Sequence, residues 1–197
     1  MPDRYPDFAT LAVSEAAGVD YEVVVRQGSS SVCLVAPHGG GIEAGTSEIA
    51  MAIAGNRRSF YAFVGLKRSG NTVLHLTSSR FDEPRCLSLL ATTTTVVTVH
   101  GERSAEAITY VGGLDREAGQ TISTALRTAG FAVSSHAQWA GTEPLNVCNR
   151  GRSGRGVQLE LGLGLRKTFF ESLGRSGRRF PTPRFHRFAE TVAAALG

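Results

Sequence analysis

A glycine-rich segment, APHGGGIEAGTSE, carries two residues whose types and spacing could do chemistry. His38 and Glu43 stand five positions apart, and the glycines Gly39–Gly41 let the backbone turn sharply enough to bring both side chains to one point. The segment follows an apolar run and precedes a helical pattern, so both side chains would start from rigid elements. Such a turn suits a metal ion, and the alternative is an ordinary turn with an exposed histidine and glutamate.

His100 ends the run TTVVTVH, whose β-branched residues predict a buried central strand. Functional residues of α/β sheets gather beyond the carboxyl ends of strands, so His100 can lie beside His38 if their strands are neighbours. A hydrogen-bonded structural histidine is the alternative. His75, in VLHLT, competes for the same ligand position, although the middle of a predicted strand favours a structural role.

Glu160 lies in GVQLELGLGLR, where alternation places Val157, Leu159 and Leu161 on one face of a strand and Glu160 on the other. A carboxylate buried in a strand is costly unless it is paired. We therefore expect Glu160 either on an exposed strand face or in a cleft, where a nearby cation stabilises its negative charge.

His38, Glu43 and His100 form the donor set of a catalytic zinc site, in which water takes the fourth position. Zinc lowers the pKa of that water to roughly 7, and a separate carboxylate must take its proton. Glu160 is the natural general base. We predict one Zn²⁺ per chain, in a geometry other than the H-E-x-x-H helix, which the sequence lacks.

A second interpretation takes His38–Gly41 as the H-G-G-G oxyanion loop of esterases and lipases. Such an enzyme also needs a nucleophile elbow, G-x-S-x-G. The nearest candidate, Gly151–Arg155, has arginine at the last position. The esterase interpretation is therefore disfavoured.

Apolar runs predict seven strands separated by helices, which favours an α/β fold with a central mixed sheet flanked by helices, in one domain spanning 1–197. The predicted strands are Val32–Pro37, Ser59–Leu66, Val73–Thr77, Thr94–Val99, Ile108–Val111, Phe131–Ser134 and Val157–Leu161. The predicted helices are Ser47–Ala54, Arg116–Ala129, Pro183–Leu196 and a shorter one near Leu165–Leu173.

Composition excludes several classes of protein. With 42% hydrophobic and 19% charged residues, the chain is typical of globular rather than disordered proteins. No stretch approaches the roughly 20 apolar residues of a membrane span, and three scattered cysteines predict free thiols. The first residues do not resemble a signal peptide, so we expect a protein made in the cytoplasm, which lysis could release to an extracellular polymer. We also expect a monomer.

The chain resembles the poly-γ-glutamate hydrolase family of bacteriophages and bacilli in an ordered series of short motifs. They are HGGGIEAGTSE at 38–48, GN at 70–71, LHLTSSRFDEP at 74–84, VHG at 99–101, YVGGLD at 110–115, NVCNR at 146–150 and GVQLELGLGLR at 156–166. This resemblance implies a zinc peptidase with a carboxypeptidase-like open α/β sandwich that cuts γ-glutamyl linkages. It places the zinc ligands on His38, Glu43 and His100, and the general base on Glu160.

Arginines supply the expected contacts to an anionic substrate, because the planar guanidinium donates two hydrogen bonds to a carboxylate at once. We predict Arg80, Arg166 and Arg150 as substrate or oxyanion contacts. The net charge of +4 and the arginine-rich stretch 150–187 also suit nucleic acid. A replication-associated nucleic-acid-binding protein is therefore a rival, disfavoured because no recognised binding motif is present. A zinc amidase acting on γ-D-glutamyl cell-wall peptides is a further alternative.

Overall fold

One mixed β-sheet forms the centre of the molecule in the computed structural model, which describes residues 3–137 and 140–197. Within these residues the sheet has seven strands: β1 (Tyr21–Arg26), β2 (Val32–Gly40), β3 (Ser59–Gly65), β4 (Thr95–Gly101), β5 (Ile108–Gly112), β6 (Ala132–Ser134) and β7 (Gly156–Leu161). Their order is β1-β3-β2-β4-β7-β5-β6. Strands β3, β2, β4 and β7 are parallel, whereas β1 and β5 pair antiparallel with β3 and β7.

Six α-helices of the described residues cover the two faces of the sheet. They are α1 (Phe8–Ser14), α2 (Thr46–Ala54), α3 (Pro84–Leu90), α4 (Arg116–Thr128), α5 (Leu163–Lys167) and α6 (Pro183–Ala195). Helices α2, α4, α5 and α6 contribute to the hydrophobic core on one face, and α1 and α3 to the core on the other. Parallel strands covered on both faces are expected to be apolar throughout, and all nine residues of β2 are buried. The predicted α/β fold is confirmed.

A β-bulge interrupts the pairing of β2 with β3. Ala36 pairs with Ala62 and Gly39 with Val64, so β2 uses one more residue than β3 over this stretch. The extra residue falls at the Pro37–His38 step, where proline has no N–H to donate to the ladder.

The bulge decides which face of the sheet carries His38. Leu34 and Ala36 belong to the core under α2, α4 and α6, and strict alternation would send His38 the same way. The extra residue moves the His38 side chain to the opposite face of the sheet, because successive side chains of a strand alternate between the two faces. The His38 ring accordingly lies 6.3 Å from the ring of Phe81, which belongs to the opposite core.

The predicted strand Val73–Thr77 is wrong. Residues Asn71–Leu74 form a 3₁₀ helix, and the following residues up to Arg80 are irregular. The alternating pattern arises because Leu74 and Leu76 are both buried in the core beside α1 and α3, from a segment outside the sheet. Helix α5 is also shorter than predicted, and β1, α1 and α3 were not predicted.

Two predictions from composition can be compared with the structure. Cys33, Cys86 and Cys148 are free thiols, as their odd number and spacing predicted, and all three are buried. Among the described residues, no helix combines the length and apolar character needed to cross a membrane.

Candidate metal centre and cleft

A cleft of about 810 Å³ opens at the carboxyl ends of β2, β4 and β7. Its lining includes four of the residues predicted to do chemistry: His38, Glu43, His100 and Glu160. Three of the four are almost fully buried side chains, with 2% exposure for each histidine and 9% for Glu160. The parallel strands thus bring together residues that lie more than 120 positions apart in the chain.

The hydrogen bonds of His38 fix which of its ring nitrogens faces the centre. Nε2 lies 2.8 Å from the main-chain oxygen of Leu76, which can only accept, so Nε2 carries the proton and donates it. In the neutral ring, Nδ1 is then an unprotonated acceptor. This nitrogen lies 3.1 Å from Oε1 of Glu43 and 3.2 Å from Nδ1 of His100.

The separation of the two Nδ1 atoms fits a shared cation. Two bare lone pairs would repel at this distance, so either a proton or a cation must lie between the Nδ1 atoms of His38 and His100. Two nitrogens that each lie 2.0–2.1 Å from a tetrahedral zinc are about 3.3 Å apart. The observed 3.2 Å matches this value, and the donor set of two imidazoles and one carboxylate suits zinc.

Glu43 is held beside the two histidines by its own main chain and by β4. Its N–H donates to the oxygen of His38 at 2.9 Å, which closes the glycine-rich turn. Its Oε2 accepts from the N–H of Gly101 at 2.8 Å and lies 3.7 Å from Nδ1 of His100. Burial opposes ionisation, but positive charge at His38 and His100, which a bound cation would replace, outweighs burial and holds the pKa of Glu43 below its ordinary value. Glu43 is therefore an ionised carboxylate.

Glu160 reaches the centre from the neighbouring strand. It is the partner of His100 in the parallel register of β4 and β7, so both side chains project to the same face. Gln158 donates from Nε2 to Oε1 of Glu160 at 3.1 Å, and Asn146 donates to Gln158 in turn at 2.9 Å. Burial, and then the nearby Glu43 carboxylate, raise the pKa of Glu160 well above its ordinary value. A cation in the centre would oppose that shift.

His75 competes with His100 as the third ligand, because His38, Glu43 and His75 offer ligand atoms that all lie within 4.8 Å of one another. The rings of His75 and His38 are stacked, with centroids 4.1 Å apart and planes 29° from parallel. Lone pairs in the planes of stacked rings point side by side and do not converge on one ion. Because Nδ1 of His75 is 2.7 Å from Oδ1 of Asp3, Nε2 is the one ring nitrogen of His75 left as a possible ligand atom. The geometry therefore favours His100.

The three arginines predicted to contact substrate all lie outside the cleft lining. Arg80 pairs with Asp3 at 2.6 Å. Nη1 of Arg150 lies 3.5 Å from the main-chain oxygen of Phe81. Arg166 is 4% exposed, and its guanidinium donates to the main-chain oxygens of Leu161, Ala44 and Glu102 at 2.7–3.1 Å. Their role in substrate binding stays a prediction, and Arg166 is placed to brace the loops around the centre.

Arg4 and Arg103 are the arginines that line the cleft within the described part of the chain, and both are exposed. Sequence reasoning missed them. Arg103 follows His100 by three residues, so the strand-end rule that selected His100 could have found it. Arg4 had no such signal, because only the folded chain carries the N-terminal segment to the cleft.

Comparison with known proteins identifies the family. Residues 5–191 match the family model described as poly-gamma-glutamate hydrolase. The chain belongs to the poly-gamma-glutamate hydrolase family. Membership confirms the resemblance carried by the ordered motifs.

Relatives of this poly-gamma-glutamate hydrolase family member align with it over most of its length. The UPF0714 protein YndL of Bacillus subtilis (strain 168) is 37% identical over 194 residues, which cover 96% of this chain and 76% of YndL. The solved structure of a bacteriophage poly-gamma-glutamate hydrolase superposes with a TM-score of 0.95 at 36% identity, covering 99% of this chain and 97% of that one. A zinc-free apo structure of YndL superposes with a TM-score of 0.93 at 37% identity, covering 99% and 98%.

Proposed function

We propose that this family member is a zinc-dependent hydrolase that cleaves γ-glutamyl amide bonds of poly-γ-glutamate. The observation that carries the proposal is the 3.2 Å approach of Nδ1 of His38 to Nδ1 of His100, beside the ionised Glu43 and inside a cleft. Membership of the poly-gamma-glutamate hydrolase family supports the substrate. A relative whose apo form is described as zinc-free supports zinc as the metal.

His38, Glu43 and His100 would hold the zinc ion, one per chain. When bound, zinc supplies a Lewis acid for the scissile carbonyl and for the attacking water. Glu160 accepts the proton of that water and passes it to the leaving amine, as a general base and then a general acid. The hydrogen bond from Gln158 to Oε1 orients this carboxylate and leaves Oε2 to take the proton.

The negative charge of the substrate suggests that the two arginines of the cleft bind it. Each residue of poly-γ-glutamate keeps its α-carboxylate, so the polymer carries a regular row of anions. Arg4 and Arg103 line the same cleft as the metal ligands and can contact such carboxylates. These two side chains would hold the polymer with one γ-amide at the centre.

Metal content and polymer digestion test this proposal together. The variants are His38→Ala and, as a matched control, His186→Ala, which removes an exposed histidine of α6. We expect about one zinc per chain and digestion of poly-γ-glutamate in the wild type and the control, and neither in His38→Ala. A wild type that takes up no zinc during incubation would exclude the mechanism.

The same preparation separates the alternative substrates. We expect poly-γ-glutamate to be shortened, cell-wall peptides with a γ-D-glutamyl bond to stay intact, and DNA to show no zinc-dependent retention in a gel. Release of products from the cell-wall peptides alone would assign the zinc centre to the amidase. Salt-sensitive DNA binding by a zinc-free protein would favour the nucleic-acid role.

A further inference from the structure

Asp3 is a buried carboxylate at the edge of the cleft, outside the set of residues that the proposed mechanism uses. Its side chain is 1% exposed and accepts three hydrogen bonds from one segment, His75–Arg80. The donors are Nδ1 of His75 at 2.7 Å, the N–H of Thr77 at 2.7 Å and Nη2 of Arg80 at 2.6 Å. A buried carboxylate is tolerated only when donors satisfy it, so Asp3 and this segment fix one another.

A second carboxylate, carried by the residues after Arg80, accepts a hydrogen bond from the N-terminal segment. Oδ1 of Asp82 accepts from the main-chain N–H of Phe8 at 2.7 Å, at the start of α1. The N-terminal segment is therefore held at both ends, by Asp3 at one end and by Phe8 at the other. Since His75–Arg80 has no regular secondary structure, these side-chain contacts fix its conformation together with the main-chain hydrogen bonds of Ser78 and Arg80.

The segment that Asp3 holds also supports both histidines of the candidate metal centre. The oxygen of Leu76 accepts from Nε2 of His38 at 2.8 Å, and the His75 ring stacks on the His38 ring at 4.1 Å. Oγ of Ser78 lies 3.5 Å from Nε2 of His100. Partners of this kind orient metal-binding imidazoles, and their loss typically weakens metal binding or activity 10- to 100-fold.

We propose that Asp3 is a positioning residue for the metal centre. Its carboxylate holds His75–Arg80 in the conformation that presents the Leu76 oxygen and the His75 ring to His38. Asp3 thereby keeps Nδ1 of His38 aimed at the metal and raises zinc affinity without contacting zinc or substrate. The inference depends on the proposed function, in that the centre must bind zinc.

Zinc affinity of two matched variants tests the role. Asp3→Asn keeps the size of the side chain but replaces one acceptor oxygen by a donor group. Asp20→Asn is the control, because Asp20 also accepts a main-chain N–H and pairs with a cation, Lys67, away from the cleft. Chelator competition should show zinc affinity falling about tenfold in Asp3→Asn and less than twofold in Asp20→Asn. Equal affinity in the two variants would overturn the inference.

Two further readouts separate positioning from a purely structural role. In metal-free protein, ring-nitrogen NMR should show His75 as the Nδ1-protonated tautomer in the wild type and lose that signature in Asp3→Asn. Wild-type His75 protonated at Nε2 instead would overturn the inference without involving zinc. A lower Tm in Asp3→Asn with unchanged zinc affinity would also overturn it. Absence of zinc from the wild type would instead refute the proposed function, and the inference with it.

Discussion

Three histidines meet in the cleft, and the partner of each ring decides what it can do. His38 donates from Nε2 to a carbonyl and directs Nδ1 toward Glu43 and His100, whereas His75 donates from Nδ1 to the Asp3 carboxylate. His100 faces His38 through Nδ1 at 3.2 Å, with Nε2 beside Ser78. Ring orientation therefore favours His38 and His100 as ligands of the proposed centre and His75 as their support, a distinction that residue type alone could not make.

Replacing His100 and His75 separately by phenylalanine tests this division. His100→Phe removes a ligand, so we expect zinc affinity to fall by at least a hundredfold. His75→Phe keeps an aromatic ring on His38 but loses the hydrogen bond to Asp3, so we expect a fall of about tenfold. Zinc titration of both variants measures the difference. A larger loss in His75→Phe than in His100→Phe would assign the third ligand to His75.

Glu160→Gln tests the general base. The amide cannot accept the proton of the attacking water, so we expect kcat to fall about 10²- to 10⁴-fold, the contribution typical of general acid–base catalysis. Zinc content should stay at one per chain, because Glu160 is not a predicted ligand. Gln158→Ala is the companion variant, which loses the hydrogen bond that orients Glu160 along with the one from Asn146 and should reduce kcat less. Full activity in Glu160→Gln would exclude the assigned role.

At the scale of elements, the site depends on how β2 ends and α2 begins. The bulge at Pro37–His38 turns His38 toward the cleft, and the glycine-rich turn then brings Glu43 back to it. Gly40 has φ +66°, and a Cβ atom there would lie 2.5 Å from the main-chain oxygen of Gly65. Any other residue at this position would distort the turn that connects two of the predicted ligands.

Alanine substitution at two glycines should change stability in opposite directions. Gly40→Ala should lower the free energy of unfolding by at least about 1–2 kcal/mol, from the left-handed conformation alone, and weaken zinc binding. Gly119, inside α4, has ordinary space, since a Cβ atom there would lie 3.5 Å from Val111. Gly119→Ala should raise the free energy of unfolding by roughly 0.5–1 kcal/mol. Urea unfolding measures both, and equal effects would contradict this account of the turn.

The strands that carry the predicted site were those the sequence showed best. Strands β2, β4 and β7 are buried on both faces, so they appear as continuous or alternating apolar runs. Strand β1 lies at the sheet edge and is mostly half-exposed, and α1 and α3 have seven residues each, too few to show a clear period.

Features that depend on distant contacts could not be predicted in the same way. The bulge that turns His38 exists only against β3, and Asp3 meets its partners across more than 70 residues of sequence. The predicted arginines illustrate the same limit. Arg166 has the residue type suited to carboxylates, but folding directs its guanidinium to main-chain oxygens instead.

At the scale of the whole molecule, the fold gathers groups that repel one another when no metal is bound. Nδ1 of His38 and Nδ1 of His100 lie 3.2 Å apart, and the Glu43 and Glu160 carboxylates lie close enough that Glu43 raises the pKa of Glu160. The α/β sandwich around them holds this arrangement with two hydrophobic cores, one on each face of the sheet. A cation that binds only the folded protein should therefore stabilise the whole domain.

Thermal unfolding with and without zinc measures that linkage. Free zinc at a hundred times its Kd adds about 2.7 kcal/mol to the stability of the folded state. For a chain of this size, 1 kcal/mol shifts Tm by about 2–4 °C, so we expect a rise of about 5–10 °C, reversed by a chelator. His38→Ala should show no zinc-dependent rise, whereas His186→Ala should behave as the wild type. An equal rise in His38→Ala would place the stabilising zinc elsewhere, because the linkage requires the ion to bind at the ring nitrogen that this variant removes.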